Sequence, residues 1–309
     1  MQGILRLDCL IGTGGWIYFN VPGESSLKAY SKVFNFVEVN YTFYEYPDSM
    51  MVKQWRLSVP SDFVFAVRCH QDLTHNIGLR PTREAYGIFG KMLSYCDTLR
   101  APFLVLETPA SYRLTSKTLE DARDFFSSIN LQKTRLVWEV RAPLTEDIIS
   151  LMKDLNIINC TDLSQTKPSF ASDIVYSRLF GKGRHNLYQF TDEELVDINQ
   201  RAQQTGSKTV VLSYHGARMY SDATRFKQYQ LTGKFIPTTS FVGLESVKAV
   251  LDEDTQFPAF KEELIETQGW KVVDISSNKR VHLSELLTNI PQKTYYGIGE
   301  VLAALEGHV

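Results

Sequence analysis

The sequence predicts an α/β fold in which eight parallel strands close into an irregular barrel, followed by a small C-terminal α+β appendage. Three observations support this. Eight short apolar segments recur along the chain, amphipathic stretches separate most of them, and the rhythm changes near residue 234. Strands that alternate with helices are typical of a parallel sheet, and eight strands are the number that closes a barrel. A chain of 309 residues exceeds the roughly 250 of one barrel, which leaves room for an appendage.

The predicted strands are residues 9–13, 36–41, 63–69, 102–108, 135–140, 157–162, 174–180 and 209–215. Helical spacing of apolar residues marks "EDARDFFSSI" and "EDIISLMKDL" between them. A third helix begins at Thr191, which forms a predicted capping box with Glu194. The eleven residues "LSQTKPSFASD" between strands six and seven contain Pro168 and are too few for a covering helix, so we expect a loop there.

The remaining segment predicts the appendage. "FPAFKEELIETQG" indicates a helix that ends at Gly269, "WKVVDIS" and "KRVHLS" indicate two strands joined by a turn, and "GIGEVLAAL" indicates a last helix. We therefore predict a barrel domain over residues 1–234 and an α+β appendage over residues 235–309.

Composition limits the partners and the compartment. The 33 Lys and Arg against 35 Asp and Glu give a net charge of -2, so a nucleic-acid partner would need a local basic patch. The four cysteines are far apart and form no CxxC, which is typical of core thiols in a reducing cytosol. No apolar run approaches the roughly 18 residues of a membrane span, and the first residues lack the pattern of a signal peptide. We expect a cytoplasmic protein with no membrane association.

Strand parity places polar side chains inside the barrel. Alternate residues of a barrel strand face the interior, and the segment "FVEVNYTFYEYP" directs Glu38, Asn40 and Thr42 inward while Val37 and Val39 face the helices. The other strands that turn polar near their ends contribute Arg68 and His70, Glu139 and Arg141, Tyr176 and Arg178, and Ser213 and His215. These ends should meet at the carboxyl-terminal mouth, where barrel enzymes bind their substrates.

The residue types at this mouth favour anion binding and proton transfer. Arg68, Arg141 and Arg178 can hold a phosphate or carboxylate through planar bidentate contacts. We assign general acid/base roles to Glu38 and Glu139, assisted by His70 or His75, and count Asp162 and His215 among the ligand-binding residues. The structural alternative is that the glutamates and arginines only neutralise one another, with Arg68 beside Glu38.

Two further features bear on a ligand. A divalent metal is a candidate cofactor, held by Glu38, Glu139, Asp162 and the histidines 70, 75, 185 and 215, although no spacing such as HExxH supports it. "GTGGW" after the first strand predicts a tight turn that carries Thr13 and Trp16. Trp16, Tyr18 and Tyr44 lie on loops after strands, where aromatic rings stack on a base or sugar or pack beneath the loop.

The chain resembles the YecE-like family, domain of unknown function 72, over about residues 10–230. The segments that carry the resemblance are "IGTGGW", "FNFVEVNYTFYEYP", "VPSDFVFAVR", "LTH", "VWEVR" and "YSRLFG". The resemblance implies a TIM-like (β/α)8 barrel related in shape to the xylose-isomerase and endonuclease-four superfamily. It also implies functional positions at Gly12, Thr13, Gly15, Trp16, Glu38, Asn40, Thr42, Phe43, Tyr44, Pro47, Thr74, His75, Glu139, Arg141, Arg178 and Gly181.

The chain departs from the family pattern at several points. Phe180 stands where many members have a histidine, "LETPASY" replaces a Gln-Leu-Pro-Pro pattern, a His-x-Ser-Trp segment after Arg141 is missing, and the eighth strand ends in "YHG". These departures affect a shared catalytic mechanism more than a shared anion-binding mouth.

Our first hypothesis is an enzyme, a hydrolase or isomerase, that acts on a phosphorylated or otherwise anionic small molecule or on a phosphodiester in nucleic acid. The alternative is a non-catalytic module that binds a ligand at the same mouth and a protein partner through residues 235–309.

Overall fold

The computed structural model describes residues 8–184 and 186–307. The chain divides into two compact units. The first comprises residues 1–179 and 201–214, and the second comprises residues 180–200 and 215–309. The predicted domain boundary at residue 234 stays a prediction.

The first unit contains a closed barrel of eight parallel strands in which each strand pairs with the next and the eighth pairs with the first. The strands are β1 (Asp8–Thr13), β2 (Phe36–Val39), β3 (Val64–Arg68), β4 (Phe103–Thr108), β5 (Arg135–Val140), β6 (Ile158–Thr161), β7 (Ile174–Leu179) and β8 (Thr209–Tyr214). All eight predicted strands are present, so the predicted fold class is confirmed.

Helices follow most of the barrel strands. They are α1 (Ser26–Val33), α2 (Tyr41–Tyr44), α3 (Ser49–Leu57), α4 (Arg83–Leu99), α5 (Ser116–Ser127), α6 (Glu146–Asp154) and α7 (Asp192–Gln204), with a π-helical segment at Asp72–Ile77. The capping box is confirmed, because Thr191 N–H donates to Glu194 Oε2 at 3.1 Å and Glu194 N–H donates to Thr191 Oγ1 at 3.3 Å. Residues 162–173 contain no helix, as predicted.

The end of the second strand differs from the prediction. The strand stops at Val39, and Tyr41–Tyr44 form the short helix α2. Asn40 has helical backbone angles, with φ -70° and ψ -23°, so the chain turns before Tyr41 can continue the ladder. Thr42 is buried in this turn, where its hydroxyl donates to the carbonyl oxygens of Val39 and Arg68 at 2.8 and 2.6 Å.

Alternate residues of the strands form an apolar cluster in the barrel interior, before the polar ends of the strands. Its buried members are Phe36, Ala66, Phe103, Val105, Val137, Ile158, Cys160, Tyr176 and Val211. Two positions further along four of these strands stand Glu38, Arg68, Glu139 and Arg178, which therefore have the same parity. The inward-facing positions that strand parity predicts thus agree with the alternation of side chains in the barrel.

Gly12 allows β1 and β2 to lie unusually close. A Cβ atom at residue 12 would lie 1.9 Å from the carbonyl oxygen of Phe36 and 2.9 Å from the hydroxyl of Tyr30. The same Tyr30 hydroxyl donates to Phe36 O at 2.9 Å and accepts from Thr13 N at 2.8 Å. Gly15 follows at φ 117°, a backbone conformation that favours glycine and agrees with the predicted turn.

The second unit has both helices and antiparallel strands. Its elements after β8 are α8 (Met219–Thr232), α9 (Leu244–Leu251), β9 (Ala259–Phe260), α10 (Lys261–Gln268), β10 (Val272–Ser276), β11 (Lys279–His282), α11 (Leu283–Leu287), β12 (Thr294–Tyr295) and α12 (Ile298–Leu305). The β10–β11 hairpin, the helix that stops before Gly269 and the last helix match the predicted elements. The segments α9, α11, β9 and β12 were not predicted.

Buried charges hold the second unit together beside its apolar core. Asp192 pairs with Arg225 and with Arg280, each at 2.6 Å, and Arg280 Nε lies 2.7 Å from Asp274. The Asp274 carboxylate also accepts hydrogen bonds from Thr238 and Thr239. These bonds compensate the burial of Asp274.

Among residues 8–184 and 186–307, no helix is both long and apolar enough to cross a bilayer.

Replacing Gly12 with alanine should destabilise the protein by about 3 kcal/mol, because the added methyl group would overlap backbone that cannot rotate away. Gly90→Ala is the matched control, since residue 90 is exposed on α4 with nothing within 4 Å of the new Cβ. We expect the control to stabilise by about 0.5–1 kcal/mol. Urea unfolding measures both, and equal midpoints for wild type and Gly12→Ala would contradict the close approach.

Candidate functional site

Charged side chains from five strands and one strand end meet inside the barrel, at its carboxyl end. We call this set the charged cluster: Glu38 of β2, Arg68 of β3, Glu107 of β4, Glu139 of β5, Arg141 just after β5, and Arg178 of β7. It contains three carboxylates and three guanidinium groups, so their formal charges balance. Glu38, Arg68, Glu107 and Arg178 are buried.

Arg178 is the centre of the charged cluster. Its Nε lies 3.1 Å from Glu38 Oε1, its Nη1 donates to Glu107 Oε2 at 2.6 Å, and the same Nη1 donates to Glu139 Oε2. Tyr176, two residues earlier on β7, donates its hydroxyl to Glu38 Oε2 at 2.9 Å. One guanidinium therefore compensates carboxylates from three different strands.

Arg68 links the charged cluster to the loops after β1 and β2. Its Nη2 pairs with Glu107 Oε2, and its Nη1 donates to Asn40 Oδ1 at 3.3 Å. The guanidinium also lies over the Phe43 ring, 3.7 Å from the centroid, which is a favourable cation–π distance. Asn40 in turn donates from Nδ2 to Gly14 O at 2.8 Å.

Arg141 is the exposed guanidinium of the charged cluster. Its Nη1 lies 3.1 Å from Glu107 Oε1, and its Nε donates to Glu139 Oε1 at 3.1 Å. Its side chain is 43% exposed, against 7% for Arg68 and 2% for Arg178. A ligand arriving from solvent therefore meets Arg141 before the other two arginines.

Mutual neutralisation keeps the charged cluster ionised. Burial disfavours the charged form of Glu107, but the positive charges of Arg178, Arg68 and Arg141 outweigh it and lower the pKa of that carboxyl below its usual 4.5. Burial likewise opposes the charge on Arg178, yet Glu139, Glu38 and Glu107 hold its pKa well above the ordinary range. Burial, and then Glu38, raise the pKa of Tyr176, so this hydroxyl remains a hydrogen-bond donor.

His75 lies near the charged cluster and is exposed. Its ring meets the Phe43 ring edge-on at 5.2 Å, and its Nδ1 lies 2.9 Å from Thr74 Oγ1, which orients the imidazole. Desolvation lowers its pKa, and the charges of Glu107, Arg68 and Arg141 also act on it. The imidazole is therefore neutral near pH 7 and able to accept a proton.

Three predicted site residues have local partners instead. His70 stacks on Tyr46 at 3.8 Å, with its Nδ1 3.1 Å from Asp72 Oδ2. Asp162 accepts from Ser164 N–H at 2.9 Å and from the Gln165 amide at 3.1 Å, as a turn former in the loop after β6. Thr13 is buried, with its hydroxyl bonded to Gly15 O at 2.7 Å. The catalytic role predicted for His70 and the ligand-binding roles predicted for Asp162 and Thr13 stay predictions.

The predicted aromatic residues lie on the loops after β1 and β2. Trp16 packs edge-to-face on Trp55 at 5.3 Å, and Tyr44 packs edge-to-face on Phe43 at 4.9 Å. His215 belongs to the second unit, where its ring stacks on Phe180 at 4.9 Å. His185 lies outside the described residues.

In the part of the chain that the structure describes, no group of three or more His, Cys, Asp or Glu residues is arranged to hold a metal ion. Three carboxylates do converge, but the guanidinium of Arg178 lies between them and supplies the positive charge.

Glu107 was not predicted from the sequence, although it contacts all three arginines. Parity contained the signal, because Phe103 and Val105 of β4 belong to the apolar interior and Glu107 is the next residue of the same parity. Arg68 was predicted beside Glu38, and the two side chains influence each other within the charged cluster, where the ion pair at 3.1 Å joins Glu38 to Arg178. Parity shows that two side chains share the interior, but it does not show which of them meet.

Comparisons with known proteins agree with this architecture. A solved structure of a DUF72 family protein from Thermotoga maritima has a TM-score of 0.59 and 19% identity, covering 71% of this chain and 98% of that one. A DUF72 family protein from Enterococcus faecalis has a TM-score of 0.56 and 15% identity, covering 73% and 98%. At these identities the likeness shows the fold, and the fold is that of a TIM-barrel protein.

The family follows from the sequence comparisons. The model described as "Protein of unknown function DUF72" matches residues 10–234, and the chain therefore belongs to this family, as its motifs predicted. The chain is also similar to the UPF0759 protein YecE of Escherichia coli K12, with 24% identity over 209 residues. That alignment covers 67% of this chain and 60% of the length of YecE.

Replacing Arg178 with methionine should destabilise the protein by roughly 3–5 kcal/mol, because three carboxylates would remain near one another without their central cation. Arg135→Met is the matched control, since Arg135 makes a more exposed pair with Asp173 at 3.4 Å. We expect the control to lose about 1 kcal/mol or less. Equal losses in chemical unfolding would show that Arg178 does not hold the cluster.

The lowered pKa of Glu107 predicts a pH-dependent contribution to stability. Because the pKa is lower in the folded state, this contribution should be fully present above pH 4.5 and disappear as the pH falls through the lowered value. The difference in unfolding free energy between wild type and Glu107→Gln should therefore shrink on acidification. Urea unfolding from about pH 7 to pH 3 measures it, with the exposed Glu120→Gln as the charge control. A difference that grows below pH 4.5 would contradict the lowered pKa.

Proposed function

We propose that this protein is an enzyme that binds a phosphorylated or otherwise anionic substrate at the carboxyl-end mouth of its barrel. The observation that carries the proposal is the exposed guanidinium of Arg141, fixed by Glu107 and Glu139 on top of a buried charged cluster. A planar guanidinium binds phosphate or carboxylate oxygens in a bidentate manner. Because its partners already orient Arg141, an anion would lose little additional conformational entropy in binding it.

We assign proton transfer to Glu139, which is partly exposed and bonded to Arg141, or to His75, which is exposed, neutral near pH 7 and influenced by the charge of Arg141. In this proposal one of the two groups removes a proton from the substrate or water and later returns the same proton to the leaving group. Glu38 is fully buried against Arg178 and Tyr176, so we assign it the positioning of Arg178.

The runner-up proposal is a non-catalytic module that binds the same ligand. The observation that favours it is the charge balance, since the ion pairs that lower the pKa of Glu107 also make this carboxylate a weak base. In that case the second unit would bind a protein partner, through exposed apolar residues such as Phe241 and Val242.

We place this activity in the cytoplasm. The four cysteines are free, and Cys69, Cys96 and Cys160 are buried, which fits small core residues in a reducing compartment.

Arg141→Gln should weaken the binding of phosphate by roughly tenfold or more, because it removes charge-assisted hydrogen bonds. Arg123→Gln is the matched control, as Arg123 is similarly exposed and paired with Asp154 at 3.0 Å on another surface. Isothermal titration calorimetry with inorganic phosphate and ribose 5-phosphate measures both variants. Equal affinity of wild type and Arg141→Gln would contradict the anion site.

Turnover separates the enzyme from the binding module. Release of p-nitrophenolate from p-nitrophenyl phosphate and from its diester provides the assay. Glu139→Gln should bind phosphate and lose roughly a hundredfold in turnover. Phosphate binding without turnover of either ester by the wild type would favour the binding module over hydrolysis.

A further inference from the structure

Exposed aromatic side chains follow β1 and β2, on the loop after β1 and on the short helix α2. We call them the aromatic rim: Trp16, Tyr18, Tyr41 and Tyr44. Tyr18 is 78% exposed, Tyr44 58% and Tyr41 42%, while Trp16 is partly exposed. Several large aromatic rings that are exposed to solvent on neighbouring segments are typical of a surface that binds a ligand or a partner.

Packing orients the rim without burying it. Trp55 of α3 makes edge-to-face contacts with Trp16 at 5.3 Å and with Tyr41 at 5.9 Å. Phe43, which is buried, makes the same kind of contact with Tyr44 at 4.9 Å. Rings oriented in this way lose little rotational freedom when a flat ligand stacks on them.

Two residues connect the aromatic rim to the charged cluster. Phe43 contacts Tyr44, His75 and the guanidinium of Arg68, the last at 3.7 Å. Asn40 bonds to Arg68 Nη1 on one side and to Gly14 O, in the loop that carries Trp16, on the other. The rim is therefore joined through Phe43 and Asn40 to Arg68 of the charged cluster, and through Phe43 to the exposed His75.

We propose that the anion bound at this mouth carries a flat ring, so that the ligand is a nucleoside monophosphate. This inference rests on the proposed function, since Arg141 binds the phosphate while Trp16 or Tyr44 stacks on the base. The net charge of -2 provides no general attraction for a long polyanion, which favours a ligand the size of one nucleotide. A free nucleotide and the 5′-phosphorylated end of a single strand present this same chemistry.

Calorimetry on the full chain compares three probes: AMP, ribose 5-phosphate, which lacks the base, and adenosine, which lacks the phosphate. We expect AMP to bind roughly tenfold more tightly than ribose 5-phosphate, because one stacked base contributes about that factor. Adenosine should bind more weakly than AMP by at least a similar factor.

The variants assign these preferences to residues. Tyr44→Ala and Trp16→Leu should reduce the advantage of AMP over ribose 5-phosphate. Tyr296→Ala is the control and should leave it unchanged, since Tyr296 is an exposed tyrosine of the second unit. Arg141→Gln should weaken both phosphates alike. Because Tyr44 is largely exposed, loss of folding does not complicate its variant.

Each outcome of these measurements supports or contradicts one of the two proposals. If the wild type binds both phosphates equally, or if the preference for AMP survives in both rim variants, the ring-stacking inference is wrong and the anion site stands. If neither phosphate binds, the proposed function fails with it. A 5′-phosphorylated oligodeoxyadenylate that binds more tightly than AMP would identify a strand end as the source of the nucleotide, and equal or weaker binding would identify free nucleotide.

Discussion

The site depends on a single guanidinium, that of Arg178, held between three carboxylates inside the barrel. Glu38, Glu107 and Glu139 come from strands that are far apart in sequence, and their burial together would be unfavourable without a shared cation. Arg178 thus ties β2, β4, β5 and β7 to one another through their side chains. Such a network contributes little net stability compared with an apolar core, but it fixes the geometry of the mouth, because breaking any one pair leaves a charge uncompensated.

Charge balance also determines what the mouth offers to a ligand. The buried members of the charged cluster compensate one another, so in the proposed function recognition depends on the more exposed groups, Arg141, His75 and the aromatic rim. Arg141 presents a positive charge that solvent can reach. His75 presents a neutral imidazole, and the aromatic rim presents a set of oriented rings. In the proposed enzyme, the preorganised buried pairs would be separate from the exposed groups that contact the substrate.

The sequence was sufficient to predict the barrel and most of the charged cluster, but not to predict which of the charged side chains form ion pairs. Alternation along β2, β3, β5 and β7 is a local property, so the inward direction of Glu38, Arg68, Glu139 and Arg178 follows from it. The pairing of Glu38 with Arg178 instead depends on the stagger of the strands around a closed barrel, which no local pattern contains. His70 and Asp162 lie beyond the ends of their strands, where the turn and not the alternation sets the direction of a side chain. Each of them contacts a residue a few positions away in the sequence.

Between β6 and β7 a loop replaces the covering helix, and the barrel sheet is weakly paired in this sector. β6 has four residues and two paired positions on each side, whereas β7 and β8 pair at six. Because β6 shares few backbone hydrogen bonds with its neighbours and is followed by a loop, local opening should cost little here, and its backbone amides should exchange with deuterium sooner than those of β7 and β8. The same sector can accept insertions over evolutionary time, because residues added there need not displace any carboxylate bound to Arg178.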